Sequence, residues 1–181
     1  MIVTETSLKG CFLIEPEIFD DSRGSFFESF NKLKFKEKTG LDVVFVQDNQ
    51  SISHKGALRG LHLQENEHAQ AKLIRVVKGK ILDVVVDLRK ESPTFGKHFS
   101  IILSGENNLQ LYVPRGFAHG FYVLEDETVF NYKCDNYYHK EAENGILYND
   151  KDLAIDWSLE GEKIILLEKD KQLMTFKQFC Q

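Results

Sequence analysis

The chain has 181 residues, of which 42% are hydrophobic and 28% are charged, and its formal net charge is -5. These values are typical of a soluble globular protein of one-domain size, so we predict a single domain over residues 1–181. The negative net charge argues against a nucleic-acid-binding surface, which requires an excess of Lys and Arg.

The N-terminus and the cysteines indicate a cytoplasmic protein. Residues 1–10 include an early glutamate and no apolar run, so they do not read as a signal peptide. No segment is apolar over the length needed to span a bilayer. Cys11, Cys134 and Cys180 are too few and too widely spaced for a disulfide framework or a zinc site. We expect them to be buried or uninvolved thiols.

In chain order, one helix is predicted first and a long series of short strands follows. The helix covers 31–39, with Asn31 as its N-cap and Gly40 at its end. The predicted strands cover 43–48, 72–77, 80–88, 97–103, 108–113, 119–124 and 127–134. Apolar and more polar residues alternate in 108–113, which predicts one buried face, and a second helix is predicted near the C-terminus. So many short strands with so little helix predict an all-β sandwich or antiparallel barrel.

Two motifs carry the candidate chemistry. The first is Leu-Arg-Gly-Leu-His-Leu-Gln at 58–64, which is followed by Lys72 and Gly79. The second is Val-Pro-Arg-Gly-Phe-Ala-His-Gly at 113–120. Their layout resembles the two half-motifs of the cupin superfamily, whose members fold as jelly-roll barrels. The resemblance implies a cupin-type jelly-roll β-barrel or sandwich with a few short helices.

The first motif departs from the metal-binding cupin pattern. His62 occupies the first ligand position, but Gln64 replaces the second His and Lys72 replaces the Glu. An ammonium group has no lone pair and repels a divalent ion, so we expect neither a metal nor a cofactor. A single His in a strand is more often a core residue than a catalyst. Here His62, Lys72, Arg59 and His119 fall at matching motif positions, and a pocket lined by them suits an anionic intermediate.

The resemblance becomes closer along nearly the whole length of the chain, which is similar to the dTDP-4-dehydrorhamnose 3,5-epimerase family. The matching motifs lie at 21–28, 47–51, 58–64, 86–89, 92–96, 113–121, 132–134, 145–146, 149–150 and 168–170. This resemblance implies an isomerase that inverts C3 and C5 of a dTDP-linked 4-keto-6-deoxyhexose through enolate intermediates. Its product would feed dTDP-rhamnose synthesis for cell-surface polysaccharide such as O-antigen.

The family match also implies roles for individual residues. His62 corresponds to the base, Asp170 to the carboxylate that orients it, and Tyr132 to the acid on the opposite face of the sugar. Lys72 is expected near the C4 oxygen, where it would stabilise negative charge. The substrate-binding positions of the family fall on Arg23, Glu28, Gln47, Asn49, Arg59, His119, Glu143 and Lys169.

The nucleotide is expected to meet cationic and aromatic side chains. Arg59 and Lys169 suit the diphosphate, because a guanidinium grips phosphate through a planar fork. Phe19 and Phe26 are candidates to stack on the thymine, with core packing as the alternative, and Arg23 between them favours a ligand-facing edge. The family further implies a homodimer with exchanged N-terminal strands, in which this segment completes the partner's site.

Several alternatives stay open at this stage. A bifunctional 3,5-epimerase is the main interpretation, and a monofunctional 3-epimerase or an epimerase that acts on another nucleotide sugar is the close alternative. A non-catalytic sugar-nucleotide-binding barrel is disfavoured, since binding requires neither a base nor an acid. A metal-dependent cupin oxygenase is disfavoured by Gln64 and Lys72. Tyr148 stands where the family usually has Trp, which predicts at most a change in pocket shape.

Overall fold

The computed structural model describes residues 1–159 and 163–181, and antiparallel strands dominate it. The strands are β1 (Ile2–Glu5), β2 (Phe12–Glu15), β3 (Phe19–Asp21), β4 (Gly24–Phe26), β5 (Gln47–Ser53), β6 (Leu58–Gln64), β7 (Lys72–Lys78), β8 (Lys80–Asp87), β9 (His98–Ser104), β10 (Gln110–Val113), β11 (Phe117–Val123), β12 (Thr128–Cys134) and β13 (Glu143–Gly145). The α-helices are α1 (Lys32–Thr39), α2 (Glu168–Lys171) and α3 (Phe176–Phe179). The all-β prediction is confirmed.

Two sheets form the barrel. One has six strands in the order β1-β2-β10-β7-β12-β5, the other has five in the order β13-β6-β11-β8-β9, and β3 and β4 form a separate hairpin. Every strand pair is antiparallel. Consecutive strands cross repeatedly from one sheet to the other, which is the arrangement of the expected jelly roll.

The main hydrophobic core lies between the two sheets. Ile74 and Phe130 from the six-stranded sheet pack there with Val85 and Phe121 from the five-stranded sheet. Because side chains alternate along a strand, every second residue of β8, β11 and β12 points into this interior. The apolar part fills one end of the barrel, and the polar inward-facing residues collect around a cavity.

The outer faces of both sheets are also covered. Tyr112 packs on Phe35 of α1, at a ring-centroid distance of 5.2 Å. The predicted buried face of 108–113 is confirmed by Leu111 and Val113 in the core, but Gln110 and Tyr112 on the opposite face are buried as well. The helix and the N-terminal strands shield the face that the alternation pattern assigned to solvent.

Of the remaining predicted elements, the first helix is confirmed and the first strand is wrong. Helix α1 is confirmed: the Asn31 side chain accepts a hydrogen bond from the Lys34 N–H at 3.2 Å, and Gly40 ends the helix in the left-handed conformation. The strand predicted at 43–48 is wrong, because β5 begins only at Gln47 and its inner face is polar. The C-terminal helix is two four-residue helices. None of the described helices is long and apolar enough to cross a membrane.

Candidate active site

Two glycines bring the strands of the two sequence motifs into close contact. A Cβ atom on Gly60 would lie 2.6 Å from the Gly120 Cα, and one on Gly120 would lie 2.7 Å from the Arg59 carbonyl oxygen. Neither position can therefore hold a larger residue without moving the backbone. The close approach of β6 and β11 sets His62 directly opposite His119 in the strand register. Both imidazoles line the cavity.

His62 is held by a buried carboxylate. Its Nε2–H donates to Asp170 Oδ1 at 2.7 Å, and the Gly60 N–H contacts Asp170 Oδ2 at 3.5 Å. The side chain of Asp170 is 2% exposed, whereas that of His62 is 24% exposed. Burial raises the pKa of Asp170, but the hydrogen bond and charge of His62 outweigh it, so the pKa is lowered. The carboxylate therefore stays ionised and fixes Nδ1 of His62 as the nitrogen open to the cavity.

His119 is held in the same way by another strand. Its Nε2–H donates to Asp83 Oδ2 at 2.8 Å, and Asp83 on β8 is completely buried. The His119 ring is stacked against Phe130 at a centroid distance of 5.9 Å. The pocket thus has two histidine–aspartate pairs side by side on the five-stranded sheet.

The opposite wall belongs to the six-stranded sheet. It contributes Lys72 from β7, Tyr132 from β12 and Asn49 from β5, where Asn49 is the strand partner of Tyr132. The Lys72 ammonium lies 5.9 Å from the centre of the Tyr132 ring. Burial raises the pKa of the Tyr132 phenol, which keeps its proton in place at neutral pH. Burial lowers the pKa of Lys72, and the neighbouring charges of Cys134, Asp83 and Glu143 oppose that change.

The rim of the cavity is charged. Glu143 of β13 accepts hydrogen bonds from the Lys169 Nζ at 2.9 Å and from the Tyr138 hydroxyl at 3.0 Å. Burial raises the pKa of Glu143, but these two donors lower it further than burial raises it. Arg59 is exposed at the rim, and its guanidinium forms neither an ion pair nor a hydrogen bond within residues 1–159 and 163–181.

Together these residues enclose a cavity of about 390 Å³. Its lining consists of Asn49, Gln50, Ser51, Arg59, His62, Lys72, His119, Phe121, Phe130, Tyr132, Glu143, Leu167, Lys169 and Asp170. A volume of this size suits a ligand such as a hexose. In the part of the chain that the structure describes, no group of three His, Cys, Asp or Glu side chains is arranged to hold a metal ion.

Five predicted site residues lie outside this lining. Gln47 is connected to the lining through Asn49, because its side-chain amide donates a hydrogen bond to Asn49 Oδ1 at 3.0 Å. Phe19 and Phe26 pair with each other on the β3–β4 hairpin and are 54% and 67% exposed, so the alternative of core packing is wrong for both. Arg23 is paired with Asp21 at the tip of the same hairpin, and Glu28 with Lys34 beside α1.

Other cavity residues escaped the sequence reasoning. Phe121 and Phe130 supply an apolar floor, and Ser51 lies on the inner face of β5. Asp83 sits in an apolar strand, Ile-Leu-Asp-Val-Val-Val, where a lone carboxylate among aliphatic residues was the available signal. Tyr148 lies outside this cavity and packs on Trp157.

The fold is a jelly-roll barrel of the cupin type, and its mouth holds two histidine–aspartate pairs opposite a lysine and a tyrosine. A family model for dTDP-4-dehydrorhamnose 3,5-epimerase matches residues 5–178. The chain belongs to the dTDP-4-dehydrorhamnose 3,5-epimerase family.

Individual relatives agree with this assignment. The dTDP-4-dehydrorhamnose 3,5-epimerase of Escherichia coli is 47% identical over 181 residues, which cover 100% of this chain and 97% of the relative. The crystal structure of the enzyme so named from Elizabethkingia anophelis is 54% identical, with a TM-score of 0.95 and coverage of 98% and 97%. A 3,5-epimerase from Legionella pneumophila, solved in complex with dTDP-4-keto-L-rhamnose, is 48% identical, with a TM-score of 0.93 and coverage of 97% and 93%.

Proposed function

We propose that this protein is a dTDP-4-dehydrorhamnose 3,5-epimerase, an isomerase that converts dTDP-4-keto-6-deoxy-D-glucose to dTDP-4-keto-L-rhamnose. The observation that carries the proposal is the position of two proton-transfer groups on opposite walls of one cavity. His62 belongs to the five-stranded sheet and Tyr132 to the six-stranded sheet. A sugar ring between them presents one face to each, which is the geometry that inversion requires.

The reaction proceeds through an enolate at each carbon. His62 takes the proton from the carbon next to the C4 ketone, so a C–H bond breaks, an N–H bond forms and the electron pair moves to the C4 oxygen. Tyr132 then delivers its phenolic proton to the opposite face of the same carbon, which forms the new C–H bond and leaves a tyrosinate. Proton exchange with solvent restores both groups. Asp170 stabilises the imidazolium of His62 while it carries the proton.

The charged residues divide between the sugar and the nucleotide. Lys72 lies on the same wall as Tyr132, where its ammonium would stabilise the enolate oxygen by about 3 kcal/mol, a typical effect of one donor. Arg59, whose guanidinium has no partner among the described residues, and Lys169 both line the cavity and suit the diphosphate at the rim. Tyr138 is an exposed aromatic ring tied to the rim through Glu143, so it is a candidate for stacking on the thymine.

A homodimer accounts for the predicted residues that lie away from the cavity. Phe19, Phe26 and Arg23 project from an exposed hairpin, and Glu28 follows it, so a second copy can receive this segment at the mouth of its own cavity. The partner's hairpin would then add a second aromatic surface for the base. We also propose a cytoplasmic location, which is supported by three free cysteines.

Deuterium incorporation tests the proposed activity. The protein is incubated with dTDP-4-keto-6-deoxy-D-glucose in D₂O, and the sugar is followed by NMR. We expect deuterium at both C3 and C5, with the signals of the L-rhamno product, because each inversion replaces a carbon-bound proton. Label at C3 alone would identify a 3-epimerase instead, and no label at either carbon would exclude epimerisation of this substrate.

A pair of histidine variants tests the role of the base. His62→Ala is expected to abolish exchange at both carbons. His54→Ala is the matched control, because His54 also pairs with an aspartate, at 3.2 Å from Asp126, but on the exposed surface. Exchange that persists in His62→Ala at the rate of the control would exclude His62 as the base.

A further inference from the structure

The two histidine–aspartate pairs of the site differ in the hydrogen-bonding contacts that their carboxylate oxygens make. Asp170 has a second contact from a backbone N–H and lies beside Lys169. Asp83 is fully buried, and its Oδ1 has no hydrogen-bond partner in the described parts of the chain. A buried carboxylate with one oxygen unpaired is costly to the fold, so its retention requires a compensating role.

The charges around Asp83 indicate that role. Asp83 points into the barrel from β8, where it faces His119 on the neighbouring strand and Lys72 on the opposite sheet. The charge of Asp83 raises the pKa of the Lys72 ammonium against the lowering caused by burial. In the proposed reaction, His62 becomes an imidazolium directly opposite His119. Asp83 is thus the buried carboxylate behind the imidazole that faces the base.

The hydrogen bond of His119 fixes what its other nitrogen can do. A carboxylate accepts hydrogen bonds and does not donate them, so Nε2 of His119 is the donor in its hydrogen bond to Asp83. A neutral His119 then has an unprotonated Nδ1, and this nitrogen makes no hydrogen bond within residues 1–159 and 163–181. It is a hydrogen-bond acceptor on the cavity wall, next to the base.

We propose that Asp83 is a positioning residue that keeps a proton of His119 on Nε2 and turns its Nδ1 toward the sugar, where Nδ1 hydrogen-bonds a sugar hydroxyl. The inference rests on the proposed function for the identity of the sugar. Asp83 acts through His119 and touches neither the sugar nor the reacting carbons. Its negative charge also balances Lys72 and the imidazolium that forms at His62, alongside the charge of Asp170.

The first test measures the tautomer of His119 in the unmodified protein. Long-range ¹H–¹⁵N spectra of the imidazoles distinguish the two neutral tautomers and the imidazolium, and His119→Gln identifies the resonances of this ring. At a pH at which the ring is neutral, we expect its proton on Nε2. A neutral ring with its proton on Nδ1 would overturn the proposal. This result does not depend on turnover, so it separates the inference from the proposed activity.

The second test removes the charge of Asp83. Asp83→Asn retains the size of the side chain, but its amide can donate to Nε2, which allows the proton of His119 to move to Nδ1. We expect exchange at C3 and C5 to fall about 10- to 100-fold, as when the tautomer of a catalytic-site histidine is lost. Binding of dTDP alone, measured by calorimetry, should change less than about twofold because dTDP lacks the sugar.

Asp87→Asn is the matched control for a structural effect. Asp87 is the other fully buried aspartate on the inner face of β8, and it pairs with Arg89, Ser92 and Thr94 away from the cavity. It should lower thermal stability while the His119 tautomer and the exchange rates stay as in the unmodified protein. If Asp83→Asn keeps normal exchange, or weakens dTDP binding as much as exchange, Asp83 is not a positioning residue for the sugar.

Discussion

At the scale of single residues, the site depends on which neighbours surround each titratable group. His62 and His119 are both imidazoles backed by buried carboxylates, yet His62 is more exposed to the cavity. Tyr132 keeps its proton because burial raises the pKa of its phenol. The protonated phenol of Tyr132 therefore faces the imidazole of His62 across the cavity, as an acid facing a base would.

Replacement of the tyrosine separates the two halves of the reaction. Tyr132→Phe should slow the formation of inverted product about 10²- to 10⁴-fold, because the opposite-face proton donor is lost. Exchange at the substrate carbons should fall much less, since His62 can still form the enolate and return a deuteron to the same face. Product formation and exchange are both followed by NMR in D₂O.

Tyr112→Phe serves as the control for this variant. Tyr112 is also a buried tyrosine, and burial raises its pKa to about 12, but it packs on the outer face of the sheet against Phe35. Both rates should stay normal in this variant. Equal losses of inversion and exchange in Tyr132→Phe would contradict its role as the acid.

At the scale of elements, the geometry of the site depends on the contact between β6 and β11. Glycines at 60 and 120 let the two backbones approach until a Cβ would overlap the opposite strand. That approach puts His62 opposite His119 and lets Asp170 of α2 reach His62 from behind. The glycines of the two sequence motifs are therefore part of the site, although neither has a side chain in it.

A methyl group at Gly60 should damage both stability and activity. Gly60 has a φ of +121°, and an added Cβ would meet the backbone of β11 at 2.6 Å. Gly60→Ala should lower the free energy of unfolding by roughly 3 kcal/mol, through strain at positive φ and the overlap with β11. Urea denaturation measures the change, and the D₂O assay should show slower exchange.

Gly40→Ala provides the comparison for backbone strain alone. Gly40 has a φ of +75°, and nothing lies within 4 Å of an added Cβ. This variant should cost about 1 kcal/mol and leave exchange unchanged. If both variants cost the same, the close approach of β6 and β11 would not be the constraint at Gly60.

At the scale of the whole molecule, the N-terminal hairpin carries three predicted substrate-binding residues and lies outside the cavity lining of its own chain. Phe19, Arg23 and Phe26 are exposed on a hairpin that pairs with neither barrel sheet. The edge strand β5 is also unpaired on one side, and exposed edges invite pairing with another chain. A symmetric dimer that exchanges these segments would complete two sites at once.

Mixing two inactive variants tests this shared site. Arg23→Ala carries its defect in the hairpin, whereas His62→Ala carries it in the barrel. After random subunit exchange, half of the dimers are mixed, and each has one site with both residues intact. We therefore expect about a quarter of the normal activity to return, measured as turnover after denaturation and joint refolding.

A second mixture controls for other causes of recovery. His62→Ala and Tyr132→Phe both carry their defects in the barrel, so no site in their mixed dimers is intact. This mixture should gain no activity. If the Arg23→Ala mixture also gains none, although differently tagged chains purify together, the hairpin does not serve the partner's cavity.

Much of this protein was determined by local sequence. The series of short strands with little helix predicted the all-β fold, and Asn31 and Gly40 predicted the ends of α1. The motifs at 58–64 and 113–120 identified the two strands that meet in the site. Such features depend on neighbours a few residues apart, so their spacing in the chain is enough to predict them.

Tertiary structure alone decided the rest. The strand predicted at 43–48 begins only at Gln47, and its inner face is polar. Tyr112 is buried because α1 and the N-terminal strands cover the outer face of its sheet. Asp83 reached His119 across 36 residues, a pair that the sequence analysis did not anticipate, and the pairing of Asp170 with His62 across 108 residues was implied only by the family resemblance. No local pattern encodes such pairs, since barrel closure decides which inward-facing side chains meet. The same closure decided that the N-terminal hairpin stands outside the cavity of its own chain.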